Sequence, residues 1–452
     1  MEIIKKANEQ ILQILGKGKN VANPYRLSQY CVCIQVEEGI LLFQVLTREL
    51  LLLSKEEFAK ATDSEYMREH WCVVEQACQE REYTDLVRWV FQNMQRKESE
   101  ITAYTILTTT DCNARCFYCY ELGCKRIHMS EETAAKVVEY IKTHRNGKPV
   151  ELNWFGGEPL VNYPVIDMIC KELQRTEIPF QSKMISNAYL FDKEMVNRAK
   201  ECWKLKSVQI TLDGTEQIYN QSKAYIYQKG SAYQVVLANI ESLLEAGISV
   251  VIRLNMGPHN VEDLTKLVEE LETRFGGRKG IYAYVRLLMQ EENAWNEQLT
   301  EQEWEQLNEA KNRLEDKMLH CGLQQSRHYK LDGELPKAHC MADSGKAVVI
   351  LPDGHIGLCE HYLENEFIGH IDGGGLNQEV LFAWRERAEK QEECEQCFYY
   401  PQCVEIKKCP EYKPCTSNTR NNHLRELERA MKAEYEQWCE KNAADNKDKV
   451  EG

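Results

Sequence analysis

Three cysteines, Cys112, Cys116 and Cys119, stand in the run TTTDCNARCFYCYELG with the spacing C-x3-C-x2-C. Three thiolates on one tight loop can hold three irons of a [4Fe–4S] cube and leave the fourth iron open to an outside ligand. A zinc site would want a fourth protein ligand, and His128 stands near enough in sequence to supply it. The spacing alone admits both.

The residues that follow in the chain narrow the choice. An apolar run ends in Trp154-Phe155-Gly156-Gly157-Glu158-Pro159, where two glycines allow close backbone approach to a ligand. The carboxylate of Glu158 could accept hydrogen bonds from an ammonium group. Later runs end in Ser186-Asn187-Ala188 and in Thr211-Leu212-Asp213-Gly214, and a further one carries Arg253 and Asn255. Taken singly, Gly-Gly and Asp-Gly are also ordinary turns. As a series they fall at the carboxyl ends of strands, where α/β sheets bind small molecules.

A second group of thiols lies near the C-terminus: Cys340, Cys359, Cys394, Cys397, Cys403, Cys409 and Cys415. One zinc ribbon would use four of these seven, and two metal centres would account for all of them with one ligand short. Soft thiolate sites accept iron–sulfur clusters or zinc. Glu360 directly follows Cys359, where its plain reading is a surface carboxylate beside a metal site. The scattered thiols, Cys31 and Cys33 among them, read as small buried apolar residues.

Elements must hold these groups in place. Ile101–Thr110, Pro149–Phe155, Phe180–Ile185, Ser207–Leu212, Ser249–Asn255 and Ile281–Leu288 have strand length and strand composition. Helix-period segments alternate with them: Glu131–His144, Tyr163–Arg175, Lys193–Cys202, Ala232–Ala246, Val261–Phe275 and Glu301–Leu319. Six such alternations predict parallel strands joined by right-handed crossovers, in an open sheet or a barrel. Ahead of them, short strands at Gln29–Val36, Ile40–Leu46 and Leu50–Leu53, then helical stretches at Ser64–Arg81 and Tyr83–Gln95, predict a small α+β module. Residues 3–15 read as an amphipathic helix, and the chain beyond Asn421 as a charged helix fraying into a polar, disordered end.

The 452 residues carry 56 Lys and Arg against 71 Asp and Glu, a net charge of -15. That sign argues against nucleic acid or an anionic membrane as the main partner. No apolar run approaches the roughly 18–20 residues of a membrane span. Nineteen cysteines without an export signal point to a cytoplasmic chain whose clustered thiols hold metal or do chemistry.

The C-x3-C-x2-C spacing with an aromatic, Tyr118, before its last cysteine, followed by GGEP, resembles the radical S-adenosylmethionine (radical SAM) superfamily. The resemblance covers roughly residues 105–319 and implies an α/β fold with a partial (βα)6 barrel. It implies that Cys112, Cys116 and Cys119 ligate a [4Fe–4S] cluster that binds S-adenosyl-L-methionine. Cofactor-binding roles would fall to Tyr118, Gly156, Gly157, Glu158, Ser186, Asn187, Asp213 and Arg253. One electron would cleave SAM to a 5′-deoxyadenosyl radical, which takes hydrogen from substrate.

The C-terminal cysteines are similar to the SPASM extension of peptide-modifying members, which carries two auxiliary clusters. By position, Cys340, Cys359 and Cys409 would hold the first, and Cys394, Cys397, Cys403 and Cys415 the second. The gaps of five before Cys409 and before Cys415 depart from the usual pattern. Glu360 stands where sulfatase-maturing relatives place a general-base Asp.

The resemblance implies four regions: an α+β, winged-helix-like module at 1–98 that binds a peptide leader or is purely structural, the barrel at 99–325, the auxiliary-cluster domain at 326–420, and a helix with polar tail at 421–452. The function implied is maturation of a ribosomally made precursor peptide by a thioether or carbon–carbon cross-link, with flavodoxin or ferredoxin as electron donor. Sulfatase maturation and a non-catalytic, zinc-stapled peptide binder are the alternatives.

Overall fold

In this computed structural model, which describes residues 1–16, 24–97, 100–226, 230–288, 299–324, 331–373, 375–388, 391–410, 412 and 415–450, the chain divides into two units. One comprises Met1–Glu98, Ser326–His339 and Arg387–Gly452; the other comprises Ser99–Gln325 and Cys340–Glu386. The expected limits at 98/99 and 325/326 lie outside the described residues, as do residues 451–452.

The first unit is α+β. Its strands are β1 (Glu2–Lys5), β2 (Tyr25–Leu27), β3 (Cys31–Val36), β4 (Gly39–Gln44), β5 (Glu49–Leu53) and β6 (Val73–Glu75). They form an antiparallel sheet in the order β1-β5-β4-β3 and a separate β2-β6 pair. Helices α1 (Glu9–Leu15), α2 (Lys55–Ala59), α3 (Glu65–Glu69) and α4 (Glu80–Lys97) accompany them. Ile11, Tyr30, Phe43, Leu50, Val87 and Phe91 share one core with Leu427 and Met431 of the C-terminal helix, Ser417–Val450.

Three expectations give way here. Residues 3–15 are not one helix: Glu2–Lys5 pairs with β5, and the helix begins after Asn8, whose side chain accepts the Ile11 N–H at 3.1 Å. Ladder bonds to a buried strand and a good N-cap outweigh the helical period of the first residues. The stretch 64–81 is broken at Trp71, whose φ is 62°, and Val73–Glu75 then joins β2 as a strand. The end expected to be disordered instead continues the C-terminal helix to Val450, in keeping with its Ala and Lys content.

The second unit carries the strand–helix alternation. Strands β7 (Ala103–Thr109), β8 (Val150–Gly156), β9 (Phe180–Ile185), β10 (Leu205–Leu212), β11 (Ser249–Met256) and β12 (Ile281–Leu287) lie side by side in chain order, all parallel. The crossovers contain α5 (Glu131–His144), α6 (Tyr163–Arg175), α7 (Lys193–Glu201), α8 (Glu216–Lys223), α9 (Ala232–Glu245) and α10 (Val261–Phe275); α11 (Glu301–His320) follows β12. Helix α8 is an element the periodicity did not reveal. Beyond β7 the sheet is extended by β13 (Ala347–Ile350), β14 (His355–Gly357) and β15 (Gly369–His370). Because β12 does not pair with β15, the barrel is partial.

Along β8 and β10 the residues alternate between full and half burial: Leu152, Trp154, Ile210 and Leu212 are sealed, while Asn153, Gln209 and Thr211 are half-buried. Right-handed crossovers put the helices on one face of the sheet. The sealed set lies under them, and the other face keeps its polar groups. Among the described residues no helix is long and apolar enough to cross a membrane. Truncating Ile210, whose exposure is 0%, should lower the barrel's stability by about 2–5 kcal/mol in urea titrations. Gln181→Ala, on an exposed site of β9, should change it by less than about 0.5 kcal/mol.

Candidate functional site

The loop after β7 carries Cys112, Cys116 and Cys119, all half-buried and free of disulfides. It is held by its neighbours' backbones. The Gly157 N–H donates to the Thr109 carbonyl at 3.1 Å, and the Glu158 N–H donates to the Asp111 carbonyl at 2.9 Å. A Cβ on Gly156, where φ is 116°, would lie 2.0 Å from the Thr109 carbonyl oxygen. One on Gly157 would lie 2.4 Å from that of Asp111. Glycine at both positions is therefore a packing requirement of the cysteine loop.

Glu158 is fully buried. Its carboxylate accepts from the Leu160 N–H at 3.2 Å, the Ser186 hydroxyl at 2.9 Å and the Asn187 N–H at 2.8 Å. It thus ties the end of β8 to the end of β9. Burial pushes its carboxyl up to about 7, against the pull of those hydrogen bonds. The Ser186 hydroxyl is taken up with Glu158 and with the Ala188 N–H. Asn187 reaches the cysteine loop, donating to Asn113 Oδ1 at 2.7 Å and standing 3.8 Å from Cys112 Sγ.

At the end of β10, Asp213 receives the Tyr118 hydroxyl at 2.8 Å, Asn255 Nδ2 at 3.0 Å and the Lys223 ammonium at 3.2 Å. Arg253 donates through Nε to Asn255 Oδ1 at 2.9 Å. Tyr118, Asp213 and Arg253, expected at one site from their places in the sequence, do join one hydrogen-bonded network. Asn255, singled out with Arg253 at the end of its strand, joins them; Lys223 and Asn260 were not expected. Asn260 donates to the Asp213 carbonyl at 2.8 Å. The signal that could have found Lys223 is a lysine among aromatic residues, between Tyr219 and Tyr225.

Tyr120 stacks on His361 at 4.2 Å, so the segment Cys359-Glu360-His361 lies against the cysteine loop within one unit. In the other unit the thiols of Cys394, Cys397, Cys403 and Cys415 fall within one another's electrostatic reach. Burial raises Cys397, Cys403 and Cys415, and charges among the four raise them further. Arg88 donates to the Cys403 carbonyl. Cys340 and Cys359 belong to the barrel unit and Cys409 to the other.

The residues around the first loop fit an iron–sulfur group. Three thiols are presented on a loop whose position is fixed by backbone bonds, and the buried Asn113 Nδ2 beside them has no partner among the described residues. Among the described residues, no three His, Cys, Asp or Glu side chains converge into a ready-made single-ion site. Cys112 is pushed up to about 12 and Cys119 to about 11 by burial, so both are protonated at neutral pH and would release a proton to any metal they took.

Two outcomes follow from this geometry. Gly157→Ala should force the Asp111 carbonyl aside and reduce reconstituted iron while the far-ultraviolet circular dichroism stays as in the parent. Between pH 4.5 and about 7 the folded chain holds a proton on Glu158 that the unfolded chain releases, so stability falls as pH rises through that window and then levels. Denaturation at stepped pH should show a shallower fall, by one proton, in Glu158→Gln.

Residues 106–271 match the family described as the Radical SAM superfamily. A "Probable GTP 3',8-cyclase" of Archaeoglobus fulgidus is 28% identical over 193 residues, which are 42% of this chain and 61% of that protein. The chain therefore spans less than two thirds of this curated relative. Among solved structures, anSMEcpe with bound AdoMet and the Cp18Cys peptide is similar with a TM-score of 0.55 and 16% identity, covering 76% of this chain and 99% of that one. Streptococcus suis SuiB bound to the precursor peptide SuiA is similar with a TM-score of 0.52 and 13% identity, covering 87% and 99%. At such identities the likeness speaks for the fold. With the half-barrel and its cysteine loop already in view, the matched residues identify the barrel as a radical SAM domain.

Proposed function

We propose that this chain is a radical SAM enzyme that matures a ribosomally made precursor peptide, closing a thioether or carbon–carbon cross-link. The observation that carries the reading is the C-x3-C-x2-C loop seated on the GGEP turn at the carboxyl end of six parallel strands, in a chain that holds a second gathering of thiols. The peptides named in the SuiB and anSMEcpe structures support the choice of substrate class.

In this reading Cys112, Cys116 and Cys119 hold the SAM-binding [4Fe–4S] cluster. When bound, cluster and SAM supply one-electron cleavage of SAM and hydrogen abstraction from substrate. The backbone at Gly156–Glu158 offers the SAM amino group its acceptors, and the buried Glu158 carboxylate keeps that backbone and the Ser186-Asn187 turn in register. Arg253, whose Nε donates to Asn255, would offer its remaining guanidinium donors to the SAM carboxylate. Tyr118, anchored by Asp213, sets the aromatic wall of the loop. The half-buried polar face of the barrel, where Tyr284 donates to Gln209 at 3.1 Å, receives the substrate segment.

Cys394, Cys397, Cys403 and Cys415 would hold one auxiliary cluster, and Cys340 and Cys359 would be ligands of another. When bound, such clusters would supply an acceptor for the electron released as the new bond forms. Glu360 takes the proton from the substrate thiol or amide. The N-terminal module binds the peptide's leader segment, and a small flavodoxin or ferredoxin delivers the electron. The setting is the cytoplasm.

Anaerobic reconstitution tests the reading. About twelve irons per chain are expected, four for each of three cubes. Dithionite and SAM should give 5′-deoxyadenosine, and replacing Cys112, Cys116 and Cys119 by Ala should abolish it. With the cognate peptide, mass spectrometry should find a product lighter by two hydrogens. Zinc in place of iron, with no 5′-deoxyadenosine, would overturn the enzyme reading.

A further inference from the structure

Lys223 is the one lysine in the buried set among the described residues, with 4% of its surface exposed. Burial alone would lower its affinity for a proton, but the negative groups facing it, the Asp213 carboxylate first, outweigh that and raise it well above the ordinary range. The ammonium is therefore charged inside the protein. Buried charge without a partner is strongly unfavourable, and Lys223 has its partner in Asp213 at 3.2 Å.

Its partners all lead to the cysteine loop. Lys223 Nζ donates to the Tyr118 hydroxyl at 2.7 Å, and that hydroxyl in turn donates to Asp213. The same ammonium lies 5.4 Å from the centre of the Tyr118 ring. The backbone repeats the connection: the Arg115 N–H donates to the Lys223 carbonyl at 2.8 Å, and the Ile226 N–H donates to the Asn113 carbonyl at 2.9 Å. The end of α8 is thus bonded to the loop between Cys112 and Cys116 on both sides. Cys116 and Cys119 both lie within reach of the Lys223 charge.

We propose that Lys223 is a positioning residue for the cysteine loop, and that its charge, opposed by Asp213, sets the reduction potential of the group the loop holds. The local field around a cluster is one of the levers that sets its potential. A buried cation near the loop favours the reduced, more negative state, and the neighbouring carboxylate opposes it. Removing either charge shifts the potential, and the two shifts have opposite signs.

The inference rests on the reading that the loop carries an iron–sulfur cluster, and the experiment separates the two. Full-length reconstituted protein is poised at a fixed potential, and the EPR signal that responds to added SAM is measured. Lys223→Met with the parent's iron content should show the reduced-to-oxidised ratio about tenfold lower, equal to about 59 mV for one electron. Asp213→Asn should move it the other way, and Lys223→Arg should restore the parental value. A Lys223→Met or Asp213→Asn protein that keeps its iron and its potential overturns the proposal. So do shifts of both in one direction. If Lys223→Met cannot load iron, failure of Lys223→Arg to restore loading overturns it instead. A parent chain without iron would sink the cluster reading rather than this one.

Discussion

The site depends on one close approach, the seating of the 156–158 backbone on the loop that follows β7. Two N–H···O bonds at 3.1 and 2.9 Å join the segments, and there is no room for a Cβ on Gly156 or Gly157. Neighbouring parallel strands already bring β7 and β8 into register. What the glycines add is continuation of that contact past the sheet, where strand pairing no longer supports it. A loop that must present three thiols at fixed separations needs such support.

Around this contact the carboxyl ends of the strands carry a heavy load of buried polar groups. Glu158, Ser186, Asp213, Lys223, Asn255 and Asn260 are all nearly inaccessible. Each polar group taken from water costs free energy unless partners replace the lost hydration. Here most partners come from the next loop: Glu158 binds the turn after β9, Asp213 binds the cysteine loop and β11, and Asn260 binds the strand ends. The loops over the sheet therefore depend on one another. The apolar core beneath, built from residues such as Trp154 and Ile210, supplies the stability that this network consumes.

Much of this was legible in the chain. Phe180–Ile185, Glu131–His144, Tyr163–Arg175 and Val261–Phe275 appear as elements with the bounds their periodicity suggested. Long amphipathic segments and β-branched runs carry their structure locally. Local signals fail where distant pairing decides. Glu2–Lys5 is a strand because β5 lies beside it, and Val73–Glu75 because β2 does. The site shows the same divide. Spacing found the thiols, but it could not show that the Glu158 carboxylate is spent on Ser186 and Asn187, or that Lys223 lies against Tyr118. Those are contacts across 28 and 105 positions of sequence.

The raised thiols of the loop fit this division of labour. A thiol pushed up to about 12, as at Cys112, stays protonated at neutral pH, so in the proposed reading loading with iron would release protons from a partly buried site. Part of the metal's binding energy is used in that release, leaving less to organise the loop. A loop that folded only around its metal would have to cover both costs. In this chain the backbone bonds to Gly157, Glu158 and Lys223, and the Asn187–Asn113 bond, fix the loop without drawing on the metal. Preorganisation by the protein leaves the affinity of the thiolates for iron free to meet the cost of deprotonation.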